Sequence, residues 1–416
     1  MKKSSSSFFI RTSNFELLLV AAAAFLTNFL YYSLTARDYL FPDSYTYLAP
    51  AQNLLRGAGF LDATGVIETL RTPGYPLLLA AFGGRIAWVI VAQHVMNVAI
   101  AAGVYLLVAP RLGRFIAIMA ALLFAIDTPT IHYANKILSE TLFTGVLLIV
   151  FALVVAGCRL PVAGVLTGLL VLIRPVAIAY FIVVAAYLLL RRVRVREVVV
   201  YALFAVALPF GWALRNFART GVLTVSSISG TNLLLFRAAG TLAILDRGDD
   251  FEADRRDEAE GLIGDADDAI ERALNISDAN ELPHAVRARH YARFAAQVMR
   301  QHPIAFAELT LRGLLINLFD SRWEAMTIVS SLHGSLVQTS LDAYTAALFV
   351  FALIGAIALR RDDLGLLVIL TVAYFLLISA GGESESRFRV PVVPQYVIAA
   401  AAGVDAVRRA AARQPR

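Results

Sequence analysis

Apolar blocks recur along the chain from residue 15 to residue 407, separated by short polar interruptions. Crossing the hydrocarbon of a bilayer takes about 20 such residues, so the pattern predicts a polytopic chain rather than one anchored at a single end. We place crossings near residues 15–35, 86–108, 115–130, 139–157, 161–174, 175–190, 198–216, 341–359, 364–380 and 391–407. The expected fold is an all-α, polytopic integral-membrane helical bundle of about ten transmembrane helices. The two spans flanking Arg174-Pro175 are short for a full crossing and predict tilted or half-inserted helices. Arg174 itself should face the bundle or an interface, because an arginine facing lipid costs at least about 2.5 kcal/mol.

Composition agrees. Hydrophobic residues make up 59% of the chain and charged residues 16%, against roughly 25% charge in an ordinary soluble domain, which excludes a soluble enzyme. Lys2, Lys3 and Arg11 precede the first apolar run, which reads as a retained start-in helix with a cytoplasmic N-terminus. The later basic clusters, at Arg111 and Arg114, Arg159, Arg191 to Arg196, Arg360 and Arg361, and Arg408 to Arg413, all fit on that same side. The C-terminus then returns to the cytoplasm. Basic residues beside membrane helices orient them, so the pI near 9.5 is no sign of a nucleic-acid partner. The single Cys158 excludes an internal disulfide and a cysteine-rich metal site.

This orientation divides the chain into an N-terminal transmembrane module (1–220), an outer segment (221–340) and C-terminal transmembrane helices (341–416). The outward-facing parts are a first loop at 36–85, a long stretch at 217–340, a hinge at 380–390, and a small segment from His132 to Glu140. Between Asp246 and His302 lie 14 of the 31 acidic residues, interleaved with arginine and alanine. That stretch predicts short amphipathic helices outside the membrane. An apolar-periodic run from Pro303 to Phe319 predicts a helix lying at the membrane surface.

Candidate chemistry collects in these outer parts. The first loop carries Asp43-Ser44-Tyr45 and ends Arg71-Thr72-Pro73-Gly74-Tyr75-Pro76, placing an acid and a cation in one aromatic-rich loop. Asp43 also stands where a helix N-cap would, its carboxylate accepting backbone N–H bonds. Capping and catalysis are compatible, since a catalytic carboxylate has to be held rigidly. The hinge reads Glu383-Ser384-Glu385-Ser386-Arg387-Phe388-Arg389, either a solvated loop or part of a polar site shared with Asp43. Ser139-Glu140 opens an apolar helix, where an acid also suits the helix dipole. Aromatic residues from Tyr31 to Tyr47 read as an interface belt or a sugar-stacking surface.

Taken in order, these elements resemble the membrane-embedded GT-C glycosyltransferases, in the branch of protein O-mannosyltransferases and the lipid A aminoarabinose transferase. The resemblance rests on the Asp43-Ser44-Tyr45 loop, Arg71-Thr72-Pro73-Gly74-Tyr75-Pro76, Ser139-Glu140, Leu172-Ile173-Arg174-Pro175, and Glu385-Ser386-Arg387-Phe388 followed by Pro391 and Pro394. It covers residues of about 15–220 and 341–407. It implies transfer of a sugar from a polyprenyl-phosphate donor to a hydroxyl of a lipid, glycan or cell-envelope acceptor, on the outer face of a bacterial cytoplasmic membrane. It also implies a general-base role for Asp43, donor-phosphate binding by Arg71 and Arg387, and acceptor or sugar positioning by Glu140. Tyr45, Tyr75, Arg174, Glu383 and Glu385 become substrate-positioning candidates, the last two holding the arginines, a sugar hydroxyl or a divalent cation. The chain departs from the family in two ways. Asp43 is followed by Ser44 instead of the Glu of the mannosyltransferases, and Leu70-Arg71 replaces an acid-lysine pair, which removes one metal ligand.

Other signals are weaker. Asp265-Ala266-Asp267 matches a nucleotide-sugar metal motif by chance, having no flanking strand, and no glycine-rich phosphate loop is present. The six histidines share no ligand spacing on one helix; His132 alone stands near a candidate acid, Glu140. Asn275-Ile276-Ser277 matches a glycosylation sequon of consequence only in a secretory pathway. The competing readings are a secondary transporter or lipid flippase, which would place its charges at the bilayer midplane, and a noncatalytic assembly subunit of the same fold.

Overall fold

The structure, a computed structural model, describes residues 14–35, 38–246, 248, 250–321 and 334–413. The orienting residues Lys2, Lys3 and Arg11, and His333, lie outside the described residues. Those described are helical throughout, apart from turns and one isolated bridge between Leu61 and Ile67. The apolar blocks become α1 (Asn14–Leu34), α4 (Ile86–Leu112), α5 (Arg114–Ala125), α7 (Glu140–Ala156), α8 (Leu160–Ile173), α9 (Tyr180–Leu190) and α10 (Val195–Thr220). Between these stand α2 (Ser44–Leu55) and α3 (Gly74–Ala81) in the first loop, and α6 (Thr128–Ala134) after α5. Large apolar side chains such as Leu18, Trp88, Leu203 and Ile357 are more than half exposed on the outer faces of the bundle. That surface suits lipid. The protein is a multi-pass membrane protein.

Six described helices are long and apolar enough to span a bilayer, α5 with α6 forms a seventh, bent candidate, and α7, α8, α9 and the Asp363–Ile378 helix are shorter. The helix α8, with 14 residues, is about 21 Å long, less than the roughly 30 Å hydrocarbon core. Arg174 ends it in an extended conformation, and a single 3-10 turn leads into α9. Two short helices thus meet at Arg174-Pro175, as their apolar lengths imply.

Two outward segments differ from expectation. Every residue from Ile131 to Glu140 is buried, because α6 turns by 51° from α5 and drives the following loop into the bundle. The outer segment holds longer helices than the pattern suggested: α11 (Ile228–Asp246), α12 (Phe251–Leu274), α13 (His284–Gln301) and α14 (Pro303–Phe319). The apolar helix α11 has the length of a membrane span, yet its Leu234, Ala238 and Ala239 pack with Leu262 and Ile270 of α12 and with Tyr291 and Ala295 of α13. With α12 and α13, α11 is thus the spine of one helical unit over residues 228–301, the outer unit of the sequence reading. The helix α14 lies against the hinge, where Gly313 touches the backbone of Gly381 and Asn317 donates to Ser379 O at 3.2 Å.

The C-terminal helices α15 (Gly334–Leu359), α16 (Asp363–Ile378) and α17 (Val393–Ala411) complete the bundle. At the crossing of α15 and α17, a Cβ added to Gly355 would overlap the carbonyl of Ala399, and one added to Gly403 would overlap that of Phe351. Gly164 and Gly168 on α8 admit the backbone of α10 in the same way. Lipid gives no hydrophobic drive for helix association, so such close backbone approach is a main source of contact energy. Gly355→Ala or Gly403→Ala is expected to cost about 1–3 kcal/mol, read as a lower thermal unfolding midpoint in detergent. Gly211→Ala, with nothing within 4 Å, should leave the midpoint unchanged or raise it.

Candidate active site

Three segments far apart in sequence meet at one end of the bundle. The first loop contributes Asp43 at the start of α2. Phe41 N donates to Ser44 Oγ at 2.8 Å, and Ser44 Oγ donates to Ile137 O at 2.9 Å, so the loop is pinned to the buried segment after α6. Asp43 occupies the N-cap position, yet its carboxylate accepts no backbone N–H. It is turned outward to two cations instead: Oδ1 lies 2.8 Å from Arg71 Nη2 and Oδ2 lies 2.9 Å from Arg387 Nη1. Asp127, Asp250 and Asp362, by contrast, cap their own helices through the side chain.

Each guanidinium is held independently of Asp43. Arg71 Nε donates to Thr46 Oγ1 at 2.7 Å, and the group lies 4.5 Å above the Tyr47 ring. Its backbone N–H donates to Glu68 Oε1 at 3.0 Å, and Arg215 of α10 donates to Glu68 O at 2.8 Å, which ties the loop to the bundle. Arg387 sits against the rings of Phe41 and Phe388, at 5.3 and 5.0 Å, with its Nε 3.7 Å from Glu385 Oε1 and 4.0 Å from Glu140 Oε1. Glu140, at the start of α7, is 1% exposed and ion-paired with Arg174. Arg174 Nη1 also donates to Ser139 Oγ at 3.3 Å. Arg71, Asp43, Arg387, Glu140 and Arg174 therefore form one chain of alternating charge, with Glu385 as a second acid on Arg387.

The electrostatics follow from this packing. Burial pushes the Asp43 carboxyl up, but Arg387 and Arg71 outweigh it and hold the pKa below its ordinary 3.8. Burial raises Glu385, only partly opposed by Arg387. Burial works against the charge of Arg387, yet Glu385, Asp43 and Glu140 keep its pKa above the ordinary guanidinium value.

Two sequence candidates stand apart. Tyr45 is 62% exposed, since one residue step along α2 turns it away from the face that presents Thr46 and Tyr47 to Arg71. Glu383 pairs with Arg237 of α11 at 3.1 Å and so fastens the outer unit to the hinge. Tyr75 is fully buried, its ring edge-on to Tyr47 at 5.1 Å and its hydroxyl donating to Gln93 Oε1 at 2.8 Å. Gln93 in turn donates to the carbonyls of Ala134 and Lys136, both at 2.8 Å. His132 is buried and shares a 2.8 Å hydrogen bond with the Tyr31 hydroxyl. Thr46, Tyr47, Glu68 and Gln93 were not singled out for these contacts. For Thr46 and Tyr47 the signal existed, their helical spacing from Asp43.

No three His, Cys, Asp or Glu side chains among the described residues are grouped to hold a metal ion, and each Asp43 oxygen faces a guanidinium.

No family model matches the sequence, and no curated protein matches it either. Solved structures do. The Archaeoglobus fulgidus oligosaccharyltransferase tethered with an acceptor peptide containing the NVT sequon superposes with a TM-score of 0.53 at 13% identity, over 96% of this chain and 50% of that one. Its apo form gives 0.51 at 14% identity, over 97% and 53%. The fold is of the GT-C type. The present chain spans about half the length of those GT-C oligosaccharyltransferase chains. ArnT from Cupriavidus metallidurans bound to undecaprenyl phosphate has a looser likeness, with a TM-score of 0.42 at 16% identity over 97% of this chain and 81% of that one.

The Glu140–Arg174 pair should behave as a unit within this GT-C frame. Arg174→Ala strands a buried carboxylate and is expected to destabilise the protein by about 3 kcal/mol. Combining it with Glu140→Gln should recover part of that loss in thermal unfolding. Additive losses would mean the two side chains do not interact.

Proposed function

We propose that this protein is a membrane glycosyltransferase that moves a sugar from a polyprenyl-phosphate donor to a hydroxyl of a lipid or glycan acceptor, inverting the anomeric centre. The observation that carries the reading is Asp43 held between Arg71 and Arg387 at one end of a GT-C bundle. In this reading the acceptor oxygen attacks the anomeric carbon and its proton passes to Asp43. The bond from that carbon to the phosphate oxygen breaks, and its electron pair leaves with the polyprenyl phosphate. Negative charge then grows on a group facing Arg71 and Arg387, whose fixed N–H donors need no reorganisation at that moment.

A guanidinium has five N–H donors, so each arginine can hold the carboxylate and a phosphate oxygen together. As the phosphate shares the two cations, their hold on the Asp43 carboxyl weakens and its basicity rises. Glu385 and the Glu140–Arg174 pair keep Arg387 in place. An open face of α14, lined by Glu308, Leu311, Arg312, Leu315, Ile316, Phe319 and Asp320, is offered to a lipid tail in this reading. The site is assigned to the outer face of a bacterial cytoplasmic membrane, with both termini inside. That assignment is supported by the arginine clusters, such as Arg191, Arg360 and Arg361, at the opposite ends of these helices.

Purified protein reconstituted with labelled polyprenyl-phosphate sugars should transfer label to a hydroxyl acceptor without solute flux, and Asp43→Asn should lower kcat by at least about 100-fold. Flux without transfer would support a transporter, and full turnover by the Asn variant would remove Asp43 from the chemistry.

The pH profile supplies a second test. Removing one cation leaves burial less opposed, so the Asp43 pKa should rise in Arg387→Ala. The acid limb of its residual activity should therefore lie at higher pH than in the parent protein. A limb that stays put or moves down contradicts the assignment of Asp43 as the base.

A further inference from the structure

Behind the hinge a second pair of charges is buried in the bundle. Arg389 lies two residues beyond Arg387, between the 3-10 turns Ser386–Phe388 and Val390–Val392, and is 1% exposed. Its Nη1 donates to Asn317 O at 3.2 Å and to Leu318 O at the end of α14, while Nε and Nη2 have no hydrogen-bond partner among the described residues. Asp127, the N-cap of α6, is fully buried. Its Oδ2 accepts from Thr130 N at 3.1 Å and from Thr130 Oγ1 at 2.6 Å, and its Oδ1 has no partner among the described residues. Helix α6 packs on both turns that flank Arg389, and the charge of Arg389 acts on Asp127. Both charges act on the Tyr396 hydroxyl of α17, which is buried and unpartnered as well.

An arginine is almost never fully buried without a partner, because a bare guanidinium away from water is costly. Capping α6 occupies only Oδ2, and the α14 carbonyls occupy only Nη1, so neither local role accounts for the remaining atoms. Their chemistry defines what fits between them. The Arg389 N–H groups only donate, the Asp127 carboxylate only accepts, and the Tyr396 hydroxyl does both. An anion would be repelled by Asp127 and a metal cation by Arg389. Water donates to the one and accepts from the other, and a buried water makes about three such bonds.

We propose that Asp127 is a positioning residue for Arg387, acting through Arg389 and an ordered water held between Asp127 Oδ1, the remaining N–H groups of Arg389 and the Tyr396 hydroxyl. The hinge backbone carries the effect. Arg389 N donates to Ser386 O at 3.0 Å and Val392 N donates to Arg389 O at 3.0 Å, so a fixed Arg389 fixes the turn that presents Arg387. A 3.2 Å hydrogen bond between the Tyr133 hydroxyl of α6 and Ser386 Oγ works in the same direction. The bend between α5 and α6 is thereby coupled to a cation that faces Asp43. The consequence for donor binding rests on the function proposed above, whereas the water bridge does not.

The test uses full-length protein in lipid nanodiscs, with polyprenyl phosphate as the probe. Cryo-electron microscopy of the parent protein should show water density within hydrogen-bonding distance of Asp127 Oδ1 and Arg389. A direct ion pair, or no density between the two side chains, would overturn the bridge. Asp127→Asn keeps the shape and can keep the Thr130 bonds. It should weaken polyprenyl-phosphate binding and raise the donor KM by about tenfold, while changing kcat by no more than about twofold. Arg389→Gln should weaken binding similarly, and the double variant should stay within about twofold of either single one, since the two act as one link. Additive losses, or parent-like binding by Asp127→Asn, would overturn the positioning role. Gly403→Ala perturbs the α15–α17 crossing instead of the hinge and should leave binding unchanged. An equal loss there would mean general destabilisation and would also overturn it. Parent-like binding by Arg387→Ala would instead sink the reading of the site, and the positioning role with it, leaving the water bridge to stand or fall on the density.

Discussion

One carboxylate set between two guanidinium groups organises one end of this molecule. Asp43 comes from the first loop, Arg71 from the far end of that loop, and Arg387 from a hinge between the last two helices. Each charge alone would be costly beside hydrocarbon, and together they neutralise one another only if the three segments meet. The requirement extends inward, because Arg387 also faces Glu385 and Glu140, and Glu140 needs Arg174. The short helix α8 and its break at Arg174-Pro175 make sense in these terms, since they stop the chain at the depth where the guanidinium has a partner.

Around that network the fold works as a set of clamps. Glu68 and Arg215 fix the backbone of Arg71, Tyr75 and Gln93 hold the buried segment after α6, and Arg389 donates to the carbonyls of Asn317 and Leu318 at the end of α14. Glu383 with Arg237 ties the outer unit to the hinge. Most of these contacts are buried and many are made to backbone, so they preorganise charged groups that are themselves largely buried, with Asp43 the most open of them at 31%. Fixed donors around a place where charge develops are what a transfer reaction with a phosphate leaving group needs.

Much of this was legible in the chain because lipid imposes a long, simple pattern. The ten apolar blocks read from the sequence fall on helices, including the weak pair around Arg174, but the block at 115–130 is split by a 51° bend, and six described helices, or seven with that pair, are long and apolar enough to cross. What could not be read locally depended on distant partners. Whether Asp43 turns back to cap α2 or outward to a cation is settled by Arg71 and Arg387, not by its neighbours. The residues from Ile131 to Glu140 carry His, Asn, Lys and Ser and look like an exposed loop, but α4, α7 and the hinge enclose them. Helix α11 has the length and apolarity of a crossing, and one side of it is packed by the charged helices α12 and α13, which its own sequence does not announce. Tyr45 is turned away from the Arg71 face of α2 for a local reason, helix phase, that the sequence did contain.

The central claim is that Arg71 and Arg387 form one grip for the phosphate of a polyprenyl carrier, with Asp43 beside it. A cryo-electron microscopy structure of the protein with polyprenyl phosphate tests it most directly. The account predicts the phosphate between those two guanidinium groups, within hydrogen-bonding distance of both, and the tail running toward α14. Phosphate density elsewhere, with the Asp43–Arg71 and Asp43–Arg387 pairs undisturbed, would contradict it.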